Sequence, residues 1–330
     1  MKRSFAKYKV FVTRSDMPEQ GISLLKKECD VTLWNKPSPV PRADFLKSIP
    51  GMNAIFCALS DKIDKEVLEA AGSSLKVVST ISVGYDHIDL NECKKRGIRI
   101  GYTPDVLTDA TAELTVALLL ATSRRLSEAI DEARTGGWVS WAPTWMTGPG
   151  LQGATVGIAG FGRIGQAVAK RVKAFNTGKI IYYNRSEKRE AKEIGADKVS
   201  FDDLLKKSDF IICCAALVPE TKEIFNKAAF EKMKKSAIFV NTSRGQLVDQ
   251  NALIEALQNN TIRAAGLDVT SPEPLPLDSP LLKMKNCVIL PHIGSASIEA
   301  RNTMSELVAK NILAALEGTN MPSELVISNK

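Results

Sequence analysis

Histidine is almost absent from this chain of 330 residues. Only His87 and His292 occur, so an acid–base step that needs imidazole has two candidates. Cysteine appears six times, at 29, 57, 93, 213, 214 and 287, but never as CxxC. The one close pair, Cys213-Cys214, lies inside an apolar run. That pattern argues against a zinc framework and, in a chain this long, against a disulfide scaffold. Long apolar runs are missing too: Val116–Ala121 is among the longest, far short of the roughly 18 residues of a membrane helix. Basic residues (44) exceed acidic ones (37) by only seven and are scattered, which disfavours a nucleic-acid partner. The start, MKRSFAKYKVFV, is basic but enters a strand-like segment at once, without the apolar core or cleavage site of a secretory signal, and the end, ISNK, is not a peroxisomal tail. A reduced, cytoplasmic protein off the membrane and without a metal is expected. With 44% apolar and 25% charged residues, it has the composition of an ordinary globular chain.

At about 150 residues each, the length makes two domains. Short β-branched runs alternate with amphipathic ones from the start. Lys9–Thr13, Val31–Trp34, Ala54–Ala58, Leu75–Ile81 and Ile98–Tyr102 read as strands, with helices at Pro18–Glu28 and near 42–48 and 64–71. Strand and helix at this spacing make βαβ units and a parallel sheet over residues 1 to about 105. One long helix is expected from about Asp109 to Thr135, with Leu114, Ala117, Leu118, Ala121 and Leu126 on its apolar face. Gly136–Gly150 then packs Trp138, Trp141 and Trp145 among glycine and proline. That aromatic surface either covers the chain's own core or forms a dimer arm, since Trp is enriched at interfaces. From Ala154 the βαβ rhythm restarts, with strands expected at 154–159, 179–183, 210–215, 237–242, 264–268 and 287–290, and a closing helix near 297–317.

The strand at 154–159 runs into Gly160-Phe161-Gly162-Arg163-Ile164-Gly165 and then a helix. In a G-x-G-x-x-G loop so placed, the first glycine permits the turn, the second lets backbone approach a pyrophosphate, and the third lets helix pack on sheet. The helix start supplies N–H groups and partial positive charge to the anion. At the end of the next strand, Arg185 and Ser186 stand where an acid that binds a ribose 2′-hydroxyl would be. An arginine there pairs with a 2′-phosphate. NADP(H) is therefore expected over NAD(H), the bland alternative being a solvated loop charge.

Three later strand ends carry polar groups: Asn241-Thr242-Ser243 leading to Arg244, Asp268 leading to Glu273, and Pro291 leading to His292. Strand C-termini of a parallel sheet line one rim, so these groups can converge. His87, in YDHID, reads instead as a surface or packing residue, and Cys213 and Cys214 as buried strand residues.

The segments VGIAGFGRIG, NTSRGQLVD, GLDVTSPEP and LPHIGSAS resemble the D-isomer-specific 2-hydroxyacid dehydrogenase family, over nearly the whole chain. SVGYDHID, GYTPDVLTDATAE, GGWVSW, SPEPLPLDSPLL and NMPSEL liken it to the members that reduce glyoxylate and hydroxypyruvate. The resemblance implies an α/β fold of two doubly wound parallel-sheet domains with a cleft between them. Residues 1–105 and 293–330 would make a flavodoxin-like substrate domain. Residues 106–292 would make a Rossmann cofactor domain with a dimerisation arm near 110–150.

Several roles follow from the resemblance. His292 would be the acid–base residue and Glu273 its partner. Arg244 would bind the substrate's carboxylate and carbonyl. Backbone N–H groups near Val83 and Gly84 would hold the other end of that carboxylate, and Ser295 would line the pocket. Asp268 would lie against the nicotinamide, with Leu217, Thr242 and Gly294 among the cofactor contacts. Trp141 would reach into a neighbouring subunit of a homodimer. A histidinium suits proton donation to a growing oxyanion, a carboxylate beside an imidazole favours its protonated form, and arginine can grip a carboxylate with two N–H groups. The implied activity is NADPH-dependent reduction of hydroxypyruvate to D-glycerate and of glyoxylate to glycolate. The alternatives are another D-2-hydroxyacid dehydrogenase, such as one acting on phosphoglycerate, and a dinucleotide-sensing corepressor-like scaffold.

Overall fold

The computed structural model describes residues 7–327. The first six residues of the basic start and the last three of the ISNK end lie outside the described residues. The chain divides into two units, Met1–Leu107 with Ser297–Lys330, and Thr108–Ala296.

In the first unit the chain alternates strand and helix: β1 (Tyr8–Val12), α1 (Glu19–Glu28), β2 (Cys29–Leu33), α2 (Arg42–Ser48), β3 (Ala54–Cys57), α3 (Lys65–Ala71), β4 (Val77–Thr80), α4 (Leu90–Lys95) and β5 (Arg99–Gly101). All pairings between these strands are parallel, in the order β2-β1-β3-β4-β5. This is the flavodoxin-like arrangement. Both β3 and β4 are buried at every residue, and β3 reads as an unbroken apolar run rather than an alternating one. Asp64 and Asp89 start α3 and α4 by accepting from Val67 N (3.2 Å) and Glu92 N (2.9 Å). The helix Ile298–Glu317 returns to this unit and packs on α1. A Cβ at Gly21 would meet the Ser305 carbonyl oxygen at 2.1 Å, so only glycine lets the two helices approach so closely.

The second unit opens on helices α5 (Thr108–Ser123) and α6 (Leu126–Thr135). It continues through β6 (Thr155–Ala159), α7 (Arg163–Lys173), β7 (Lys179–Tyr183), α8 (Glu190–Ile194), β8 (Ala196–Lys198), α9 (Phe201–Lys207), β9 (Phe210–Cys213), α10 (Lys227–Lys232), β10 (Ile238–Asn241), α11 (Gln250–Gln258), β11 (Ala264–Leu267) and β12 (Cys287–Ile289). Its parallel sheet has the order β12-β11-β10-β9-β6-β7-β8. The chain winds outward from β6 to β8, then returns to β9 on the other side of β6. The loops after β6 and β9 diverge there, opening the ligand-binding crevice of such sheets. Alternate residues of one strand feed two cores. Phe210 and Ile212 join Val156, Tyr182 and Val240 on one face, while Ile211 and Cys213 join Phe239, Leu205 and Leu267 on the other. Each such side chain contributes about 1.5–3 kcal/mol when fully buried.

Two expectations about residues 109–135 need correction. The segment is two helices, broken at Arg125, whose φ is +55° and whose guanidinium grips Glu128 at 2.9 and 2.6 Å. The buried face of α5 is also a different one. Leu114 and Ala121 are only half-buried and Ala117 is exposed, while Thr111, Ala112, Thr115, Val116, Leu118, Leu119 and Thr122 are buried. The physical reason lies in the threonines: Thr115 and Thr122 donate to the carbonyls of Thr111 and Leu118, each at 2.7 Å, and so hide their hydroxyls. Leu126 is exposed on α6, and Trp138 and Trp141 stand 63% and 82% exposed, so these tryptophans do not cover the chain's own core. Among the described residues no helix is long and apolar enough to cross a membrane, and all six cysteines are free thiols.

Candidate active site

The glycine loop leaves β6 through Gly160, at φ +92°, whose N–H donates to Tyr183 O at 2.9 Å. A Cβ on Gly160 would stand 2.4 Å from Ala215 N, and one on Gly165 would stand 2.2 Å from Gly160 O. The loop is thus pressed against the β9 exit and against its own helix. A Cβ on Gly162, by contrast, would meet nothing within 4 Å, and Gly162 begins α7 with no side-chain cap and no acid in the first turn. A tight turn, an open second glycine and an uncapped helix start make a cradle that fits a dinucleotide pyrophosphate. The Phe161 ring is fully buried and stacks on Tyr182, centroids 4.2 Å apart, so Phe161 offers the cradle only its backbone. Arg163 and Ile164 form the first turn of α7.

Arg185 and Ser186 are exposed at the exit of β7. Asn184, which sequence reasoning missed, ties them to the glycine loop: its Oδ1 accepts from Phe161 N (3.3 Å) and its Nδ2 donates to Ser186 O (3.0 Å). Leu217, after β9, is half-buried against one face of the core. The Thr242 hydroxyl, at the exit of β10, shares a buried hydrogen bond of 2.7 Å with Thr115. Cys213 ends β9 and Cys214 lies just beyond it, with burial pushing the Cys213 thiol up to about 12.

The exits of β10, β11 and β12 bring three predicted residues together. The fully buried Asn241 side chain donates to Arg244 O at 2.9 Å and accepts from Ser243 N at 3.1 Å, and Ser243 Oγ donates to Ala215 O, so the turn that carries Arg244 is fixed. The next residue lies against the β11 exit, where a Cβ on Gly245 would meet Thr270 O at 1.9 Å. Glu273 Oε1 accepts from Thr270 N at 3.0 Å and its Oε2 contacts His292 Nδ1 at 2.8 Å. Burial disfavours the Glu273 carboxylate. The hydrogen bond and charge of His292, the Thr270 N–H and the Arg244 charge outweigh that and hold its carboxyl below the usual range. The charge of Arg244 therefore reaches the pair.

His292 itself has φ +55°, a left-handed conformation that histidine tolerates better than most residues. Asp268 enforces it. Its backbone O accepts from His292 N, its Oδ1 from Ile293 N and its Oδ2 from Gly294 N, each at 2.8 Å. Asp268 is 1% exposed, and desolvation by burial raises its pKa against those two N–H donors and the His292 charge. Both carboxylate oxygens are engaged in holding the turn that carries the imidazole. Ser295, half-buried, follows that turn directly. Among the described residues no group of three or more His, Cys, Asp or Glu could hold a metal ion.

Val83 and Gly84 belong to the first unit, in the loop after β4. Ser82 Oγ donates to Gly84 O at 2.6 Å, Thr80 Oγ1 lies 2.9 Å from Ser82 Oγ, and His87 Nε2 lies 3.0 Å from Thr80 Oγ1. Trp141 lies in the exposed 136–150 segment of the second unit.

Residues 116–294 match the family described as D-isomer specific 2-hydroxyacid dehydrogenase, NAD binding domain. The chain is 54% identical, over 96% of its length and 97% of the other's, to the glyoxylate reductase/hydroxypyruvate reductase of Homo sapiens. Among solved structures it resembles a protein of Thermus thermophilus with a TM-score of 0.91 and 43% identity, covering 96% of this chain and all of that one. It also resembles the NADPH-dependent glyoxylate/hydroxypyruvate reductase of Sinorhizobium meliloti, solved with NADP and malonate, with a TM-score of 0.83 and 30% identity over 97% of each chain.

Proposed function

Because the chain belongs to the D-isomer specific 2-hydroxyacid dehydrogenase family, and so is an oxidoreductase, we propose that it reduces hydroxypyruvate to D-glycerate and glyoxylate to glycolate, with NADP(H) preferred over NAD(H). The observation that carries this reading is the 2.8 Å contact between Glu273 and His292, on a rim where the Arg244 charge is felt.

The cradle of Gly160, Gly162 and Gly165 takes the pyrophosphate, and the exposed Arg185 and Ser186 take the 2′-phosphate. When bound, the reduced nicotinamide supplies the hydride that adds to C2 of the keto acid. Arg244 holds the substrate carboxylate and polarises the keto group, where negative charge grows. Val83 and Gly84 offer backbone N–H groups to the substrate, and Ser295 lines its pocket. Glu273 keeps Nδ1 of His292 engaged, which leaves the far ring nitrogen to deliver the proton to the keto oxygen. Asp268 keeps that ring in place, and Leu217, Thr242 and Gly294 flank the cofactor.

Trp141 and the arm near 110–150, of which the stretch carrying Trp138 and Trp141 is exposed, are assigned to a homodimer, in which Trp141 reaches the neighbouring subunit's site. The setting assigned to it is reduced and cytoplasmic. The test is NADPH and NADH oxidation with hydroxypyruvate, glyoxylate and pyruvate, run on the wild type and His292→Ala. Turnover with the first two acids, lost in the variant while NADPH still binds, is expected. Full turnover in the variant overturns the assignment, and a monomer by light scattering at micromolar concentration overturns the dimer.

A further inference from the structure

Sequence reasoning leaves His87 without a task, yet the structure makes it the head of a directional chain. Gly84 O can only accept, so the single proton of the Ser82 hydroxyl, 2.6 Å away, points at it. Ser82 Oγ must then accept from Thr80, which spends the Thr80 proton, and Thr80 Oγ1 must accept from His87 Nε2–H. The order is His87 Nε2–H to Thr80, Thr80 to Ser82, Ser82 to the Gly84 carbonyl. Thr80 and Ser82 are 0% and 5% exposed, so water is a poor substitute for either link.

The loop is anchored on both sides of this chain. Ile81 N donates to Cys57 O (3.0 Å) and Thr103 N to Ser82 O (2.9 Å) before it, and Ile63 N donates to His87 O (2.9 Å) after it. The relay pins the Gly84 carbonyl at one end and Thr103 N pins the Ser82 carbonyl at the other, so the Val83 and Gly84 N–H groups lie on backbone held from both ends. A chain of hydrogen bonds running one way also polarises its end, so the links strengthen one another.

We propose that His87, Thr80 and Ser82 are positioning residues that set the Val83–Gly84 backbone for the substrate's carboxylate. The inference rests on the function proposed above, in which those N–H groups meet the substrate. None of the three residues touches substrate. They act by holding the loop, so they govern substrate affinity and leave the hydride step alone.

The experiment compares wild type with Ser82→Ala, Thr80→Val, His87→Ala and the double variant Ser82→Ala/His87→Ala. It reads KM and kcat for hydroxypyruvate, and NADPH affinity by fluorescence titration. Loss of one hydrogen-bonded link is expected to raise KM about tenfold, with kcat and NADPH affinity near wild type. The double variant is expected to match Ser82→Ala alone, because breaking the last link already uncouples the first. A thermal melt reports that the first unit of each variant is folded, and NADPH affinity that the second unit is intact. Unchanged KM in Ser82→Ala, additive KM effects, or a parallel fall in kcat and NADPH affinity each overturn the relay while wild-type turnover leaves the proposed reaction standing. A wild type inactive on every 2-keto acid overturns both.

Discussion

Replacing Gly245 by alanine tests the convergence of the Arg244 and Glu273 loops with the addition of a single methyl group. The new Cβ would lie 1.9 Å from Thr270 O, 2.1 Å from Thr270 C and 2.7 Å from Ser271 N. Ordinary contact begins at 3.4 Å, so the two segments must separate by 3.4 − 1.9, about 1.5 Å. Neither side yields easily. Thr270 N is bonded to Glu273 Oε1 at 3.0 Å and Ser271 N to Gln250 Oε1 at 3.1 Å, while Asn241 holds Arg244 O at 2.9 Å. Overpacking of this kind costs about 1–3 kcal/mol, and a 1 Å misplacement of reacting groups costs about a hundredfold in rate. Gly245→Ala is therefore expected to lower kcat/KM for hydroxypyruvate about a hundredfold and Tm by several degrees. NADPH affinity should survive, because the glycine loop is not part of this contact. Stopped-flow or steady-state NADPH oxidation, fluorescence titration and a thermal melt measure the three quantities. A variant within threefold of wild-type kcat/KM would show that the two loops are not in the contact described.

Asp268→Asn keeps one acceptor and turns an NH2 group onto the other backbone N–H, at a cost of about 1–3 kcal/mol. A lower Tm and a kcat reduced at least about tenfold are expected, and a fully active, equally stable variant contradicts the role given to Asp268. The depressed Glu273 carboxyl sets a pH dependence. An unfolded Glu titrates near about 4.3, so the stabilisation is complete above that value and is lost as pH falls through the lower folded value. The Tm difference between wild type and Glu273→Gln should shrink below about pH 4. A difference constant from neutral to strongly acid pH removes the argument. Arg185→Asp replaces an exposed cation by an anion and should shift the NADPH/NADH preference towards NADH by about 10–100-fold. An unchanged ratio would make Arg185 a solvated loop charge.

The strands were legible for a physical reason. Sheets covered on both faces need apolar residues at consecutive positions, and Phe210–Cys213 or Ala237–Val240 show such runs. The glycine loop was legible because steric demand at Gly160 and Gly165 admits one residue type. The break at Arg125 was not, since no glycine or proline marks it and an ion pair with Glu128 accompanies it. The short strand Ala196–Lys198 escaped notice because its pairing to β7 has no apolar pattern. The face of α5 was misread because threonines that bond back to their own helix behave as apolar residues. At the site, residue types gave the candidates Arg244, Glu273 and His292. The engagement of both Asp268 oxygens, the Asn184 bridge and the task of His87 depend on contacts between side chains and backbone groups that spacing does not encode.

The return of Ile298–Glu317 to α1 has a consequence for how the molecule is made. A ribosome finishes every strand of the five-stranded sheet long before it finishes the helix that Gly21 is shaped to receive. During elongation the side of α1 that carries Gly21 stands without its cover while the whole 108–296 segment is already synthesised and able to collapse. The five-stranded unit, made earlier, is then the later of the two to become protease-resistant, and a nascent chain halted at residue 296 should be cut readily near α1 but not between β6 and β12.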